Sequence, residues 1–120
     1  MELSTRKEME LSTRNESDAM VVSVKGKVDT VTAAEFEKYL TTQIEQHSDK
    51  NMLIVNLKEL YYISSAGLRA ILGATKKLKE KHGDVILTEL QDTVREVFEI
   101  AGFHSFLKIF ETEQSALEQI

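Results

Sequence analysis

Two consecutive serines, Ser64 and Ser65, sit between the large residues Leu60-Tyr61-Tyr62-Ile63 and the small pair Ala66-Gly67. A serine hydroxyl in such a place can act as a nucleophile, receive a phosphoryl group, or accept a hydrogen bond as a helix N-cap. The nucleophile needs a general base and oxyanion donors, and the sequence offers neither in a readable arrangement. A Gly-x-Ser-x-Gly elbow is absent, and Gly67 to Gly73 is wrongly spaced for a phosphate loop and lacks the following Lys-Ser/Thr. Ser105-Phe-Leu-Lys108 and Ser4-Thr-Arg-Lys7 both match Ser-x-x-Lys, but the first falls on an expected strand and the second in an expected tail, as chance matches do.

Local pattern alone favours the cap, with Ser64 as N-cap and Gly67 letting the helix approach a sheet. A glycine inside a helix costs about 1 kcal/mol relative to alanine, so a missing side chain at position 67 implies a use for the space. A phosphoryl group also suits the place. It brings about −1.5 to −2 charges and three strong acceptors to a helix terminus that tolerates an anion.

Other chemistry is poorly supported. With no cysteine in 120 residues, disulfides, thiolate metal sites and cysteine nucleophiles are excluded. His47, His82 and His104 lack ligand spacing and fall at expected helix ends or turns, where a cap or a solvated side chain is the simpler role; no metal and no cofactor is expected. Of Tyr61 and Tyr62, one ring is expected to pack and the other to face solvent. The formal charge of −5 argues against a polyanionic partner. Lys76, Lys77, Lys79 and Lys81 cluster, but at the end of an expected helix, where cations favour the dipole. No nucleic acid is expected.

The elements that must position the serines can be read from periodicity. From Met20, Val22 and Val24 alternate with polar residues as on a half-buried strand. Ala33, Phe36, Tyr39, Leu40 and Ile44 share one helical face, with Thr30 or Thr32 as cap. Met52–Leu57 is almost continuously apolar, as in a strand covered on both faces. A helix from about Ser65 to Lys81 follows, then a break at His82-Gly83-Asp84 and a strand over Val85–Thr88. Gln91–Ala101 reads as a helix ending at Gly102, Phe106–Phe110 as a short strand, and Thr112–Ile120 as a closing helix with a Thr cap. Alternation of this kind implies a single α/β domain on a mixed sheet of four to five strands with about four helices, partly parallel and opening on an antiparallel pair. The sequence contains no proline to interrupt any of these segments.

The first sixteen residues hold an imperfect duplication, Met1–Glu8 and Met9–Glu16. Only one copy can occupy the first strand in register, so residues 1–8 are expected as a tail and 9–120 as the domain. The longest apolar runs fall far short of the roughly 20 residues that cross a bilayer, and the start shows no secretory pattern. A cytoplasmic location without membrane insertion is expected.

The segment Asn56-Leu57, Leu60, Ile63-Ser64-Ser65-Ala66-Gly67-Leu68, together with Gly26-Lys27-Val28-Asp29, resembles the signature of STAS domains. The likeness extends over about residues 18 to 120. It is similar in particular to the bacterial anti-sigma factor antagonists, in which the serine after an aspartate is phosphorylated by the partner kinase. The resemblance implies Ser65 as the acceptor, with Ser64, which stands where that family has aspartate, as the alternative. It implies a docking surface of Asp29, Thr30, Ser64, Ser65, Ala66, Gly67, Leu68 and Arg69; for Asp29 a helix-approach cap is an equal reading, and Arg69 alone would read as a solvated residue. The implied function is a phosphorylation-controlled switch without catalysis of its own. Its implied partners are an anti-sigma factor with serine kinase activity and a resetting serine phosphatase. A cytoplasmic accessory subunit of a lipid or anion transport system is the alternative.

Overall fold

The computed structural model describes residues 8–16, 18–105 and 107–120. Strands β1 (Met9–Glu16) and β2 (Ala19–Val28) are followed by helix α1 (Ala33–Gln46), β3 (Met52–Ile63), α2 (Ser65–Lys79), β4 (Asp84–Thr88), α3 (Asp92–Ile100), β5 (Lys108–Phe110) and α4 (Glu113–Glu118). The strands lie in the order β1-β2-β3-β4-β5, β1 antiparallel to β2 and the other pairs parallel. Each parallel neighbour is reached through one crossover helix, as parallel pairing requires. The mixed five-stranded sheet and α/β class agree with the sequence reading.

The second copy of the duplication is β1, from Met9 to Glu16. Its Met9 enters the core, and Glu8 is attached just ahead of it, its carbonyl accepting from the Lys27 N–H at 2.9 Å. The tail expected over residues 1–8 otherwise lies outside the described residues, as does Phe106 in the strand expected from there.

Helices α1, α2 and α3 cover one sheet face through Phe36, Leu40, Ile71, Leu78, Val94 and Phe98, which close over Val22, Leu53, Val55 and Leu87 in one core. Helix α4 covers part of the other face, where Ala116 meets Ala19, Val21, Ile54 and Ile86. The half-buried reading of β2 holds from Val22, where buried Val22 and Val24 alternate with Ser23 and Lys25, and is corrected before it: Ala19 to Val21 are all buried, because α4 shields the residues that would otherwise face water.

The largest departure is β3, which continues six residues past Leu57. Its pairing with β2 shifts register twice, between Ser23 and Lys25 and between Gly26 and Lys27. Each shift gives β3 an additional residue, so beyond Leu57 its buried side chains are Leu60 and Ile63, three apart rather than two. Bulges break alternation in this way, and strand periodicity could not register the extension.

A polar clamp fastens α4. Thr112 accepts from the Ser115 N–H at 3.1 Å, as the expected cap, and Glu89 of the β4–α3 connection accepts from the Glu113 N–H at 2.8 Å. The Glu113 carboxylate receives Asn56 Nδ2 of β3 at 2.8 Å and pairs with Arg14 of β1. Replacing Glu113→Ala is expected to cost about 2 kcal/mol in urea unfolding and to raise amide exchange first in α4.

Candidate functional site

The site forms where β2 and β3 end side by side and the chain enters α1 and α2. Val28 pairs with Ile63 at the last position of the ladder, and the Ser64 N–H donates to the Val28 carbonyl at 2.8 Å. That bond places the Asp29 turn next to the start of α2. The sequence motifs around residues 26–29 and 63–68, more than thirty residues apart, meet there.

Asp29 organises its own turn. Its Oδ1 accepts from the Val31 N–H at 2.9 Å and the Thr32 N–H at 3.0 Å, while Thr32 Oγ1 accepts from the Asp29 N–H at 2.9 Å. The Thr32 hydroxyl proton is shared between the Lys27 carbonyl and Asp29 Oδ1, each 3.2 Å away. Thr32 occupies the N-cap position of α1 without a side-chain cap bond, and Thr30 is exposed. Capping expected of a threonine is therefore done by Asp29, whose short carboxylate reaches the free amides of the approach turn. The Thr32 backbone N–H, chiefly, holds the Asp29 carboxyl below its ordinary range; the Val31 N–H, the Thr32 hydroxyl and the Lys27 ammonium act in the same direction against desolvation. Lys27 Nζ lies 3.6 Å from Asp29 Oδ2.

The two serines have different surroundings. Ser64 is half-buried in extended conformation, and its Oγ accepts from the Gly67 N–H at 3.2 Å, making it the N-cap of α2. Ser65, the first residue of the helix, is exposed. Ala66 is half-buried, Leu68 is buried and Arg69 is exposed. Gly67 leaves no free space: a Cβ there would sit 2.7 Å from Ile63 Cγ1 and 2.8 Å from Val28 Cγ1. The missing side chain lets α2 press onto the ends of β2 and β3.

Tyr61 and Tyr62 are both exposed, 57% and 48%, which corrects the expectation that one ring packs. Tyr61 is the additional residue of the second bulge, so the pair does not alternate between faces. With Lys27 and Asp29 the two rings line an open surface hollow, and Val31 of the Asp29 turn is 80% exposed. Val31 was not among the residues picked from sequence, and the two tyrosines were not read there as part of a docking surface. Three large apolar side chains left in water around a polar centre have the composition of a protein-docking surface.

The lysine cluster is engaged locally: Lys77 pairs with Glu45 at 3.4 Å, Lys79 with Asp84 at 3.6 Å, and Lys81 donates to the Lys50 carbonyl at 3.3 Å. Among the described residues no group of three potential metal ligands converges, and no helix is long and apolar enough to cross a membrane.

The family model of the STAS domain matches residues 10–116. The chain belongs to the STAS domain family. This STAS domain is 35% identical over 105 residues, 87% of its length and 89% of the other's, to a Bordetella bronchiseptica protein provisionally named anti-sigma factor antagonist BtrV. It matches the crystal structure of an anti-sigma factor antagonist from Mycobacterium paratuberculosis with a TM-score of 0.85 at 21% identity, over 98% of both chains. The phosphorylated form of the Bacillus cell fate determinant SpoIIAA matches with a TM-score of 0.69 at 22% identity, over 92% of this chain and 98% of that one. At these identities the two structures establish the fold.

Two outcomes follow from the geometry. Gly67→Ala is expected to destabilise the domain by about 1–3 kcal/mol in urea unfolding, although alanine is the better helix former. Asp29 has a folded-state pKa below its unfolded value, so its charge stabilises the fold above the unfolded pKa of about 3.9, and that contribution is lost as pH falls through the folded value. Comparison with Asp29→Asn, which keeps the acceptor, is expected to show a stability advantage of the wild type at pH 7 that begins to shrink as pH is lowered below about 3.9 and goes on shrinking as the folded carboxyl takes up its proton.

Proposed function

We propose that this STAS domain is an anti-sigma factor antagonist whose partner choice is set by phosphorylation of Ser65. The observation that carries the reading is the division of labour between the serines: Ser64 is occupied as the cap of α2, while Ser65 stands exposed one residue later. The name carried by the 35% identical relative supports the same reading. Unphosphorylated, the domain binds an anti-sigma factor with serine kinase activity and so frees a sigma factor. Val31, Tyr61 and Tyr62 supply the apolar contact, and Asp29, Thr30 and the Ser64–Arg69 turn supply the polar centre.

The kinase brings ATP and magnesium, so this domain contributes binding and an acceptor hydroxyl, without catalysis or cofactor of its own. A partner packed on the neutral hydroxyl must accommodate a hydrated dianion after transfer. A penalty of about 4 kcal/mol weakens the complex roughly a thousandfold. A serine phosphatase restores the first state.

The test is incubation with the cognate kinase and MgATP, read by intact mass and affinity. One phosphate is expected on the wild type and on Ser64→Ala and none on Ser65→Ala, with the partner retained by Ser65→Ala and lost by Ser65→Asp. No phosphate on the wild type, or transfer to Ser65→Ala, would sink the assignment. A transport component held equally by wild type, Ser65→Ala and Ser65→Asp would assign an accessory role instead.

A further inference from the structure

We propose that Arg69 receives the phosphate of Ser65 within the same helix, so that one modification withdraws both a hydroxyl and a guanidinium from the docking surface. The inference deepens the reading above and rests on Ser65 being the modified position. Ser65 and Arg69 are four residues apart in the unbroken helix α2, which places them on one face a turn apart. Helical side chains lean toward the amino terminus of their helix. The long Arg69 side chain therefore lies back over the turn that Ser65 begins.

Arg69 has little else to bind. Its neighbours three and four residues away on α2 are Ser65, Ala66, Leu72 and Gly73, of which Ser65 alone is polar, and the first turn carries no acidic side chain. Of the other arginines among the described residues, Arg14 pairs with Glu16 and Glu113, and Arg95 with Glu111. Both Ser65 and Arg69 are exposed, while Leu68 between them turns into the core. On the packed side, Glu37 of α1 comes within 3.6 Å of where a Cβ of Gly73 would lie, yet among the described residues no ion pair joins it to Arg69. Beyond the Ser64–Val28 bond, Asp29 and Glu8 both face Lys27, at 3.6 and 3.8 Å.

A guanidinium presents paired N–H donors that match two phosphate oxygens. Before modification it is available to a partner. Afterwards it is turned inward onto the phosphate, and the surface a partner met has changed at two points one helical turn apart.

The experiment installs phosphoserine at position 65 during translation of the full chain, with no kinase involved, and follows the phosphate by ³¹P NMR from pH 4 to 8. With Arg69 in place the second phosphate pKa is expected to be about 0.3 unit lower than in the Arg69→Gln variant, with Arg69→Lys between them. Matching far-UV spectra and melting curves of the unmodified proteins verify folding, which an exposed arginine should not affect. Equal pKa values with Arg69 and in the Arg69→Gln variant would overturn the pairing. Because no kinase is used, that failure says nothing against phosphorylation of Ser65, and failure of the kinase test would leave this measurement interpretable.

Discussion

The hydrogen bond from the Ser64 amide to the Val28 carbonyl is the constraint on which the rest of the site depends. It is the last bond between β2 and β3 and joins the two points where the chain leaves the sheet for α1 and α2. It fixes the Asp29 turn against the serine pair, alongside the Val28–Ile63 pairing and the contact of α2 at Gly67. With it they form one surface, on which Asp29 takes up the Val31 and Thr32 amides and Ser64 takes up the Gly67 amide.

That join requires β3 to outrun β4. The β3–β4 ladder stops at Asn56 and Thr88, whereas the β2–β3 ladder goes on to Val28 and Ile63. The protruding pair is held from the helix side by Leu60 and Ile63, which are fully or almost fully buried, and by α2 pressed onto it at Gly67. A projecting edge of this kind would fray if it were only hydrogen-bonded, and apolar burial makes it rigid. Rigidity at the base leaves the exposed rim of Val31, Tyr61 and Tyr62 free to be used for contact, since those side chains contribute little to the fold.

The consequence for signalling is that a phosphate on Ser65 need not alter the domain's structure. Ser64, not Ser65, carries the cap, so adding bulk and charge to Ser65 leaves the capping bond in place. What changes is the surface. A phosphate there would replace an exposed neutral hydroxyl with a hydrated dianion, so its cost would fall on a complex made through this surface rather than on the free domain.

Much of this was determined by the sequence itself. The alternation of helical and strand periods specified an α/β domain, and small residues after paired serines marked the start of α2. Those features are local: they depend on backbone sterics and on which face of a single element is apolar. The role of Gly67 was open in sequence, because a glycine permits close packing and free space equally, and only the positions of Ile63 and Val28 decide between them. The full length of β3 and the exposure of both tyrosines followed from two bulges, which arise from pairing with β2 and leave no period to read in β3 alone. The burial of Val21 depended on α4, almost a hundred residues away. Tertiary structure decided these points because each is set by a second segment of chain arriving at a particular register, and one strand or helix cannot encode where its neighbour will stop.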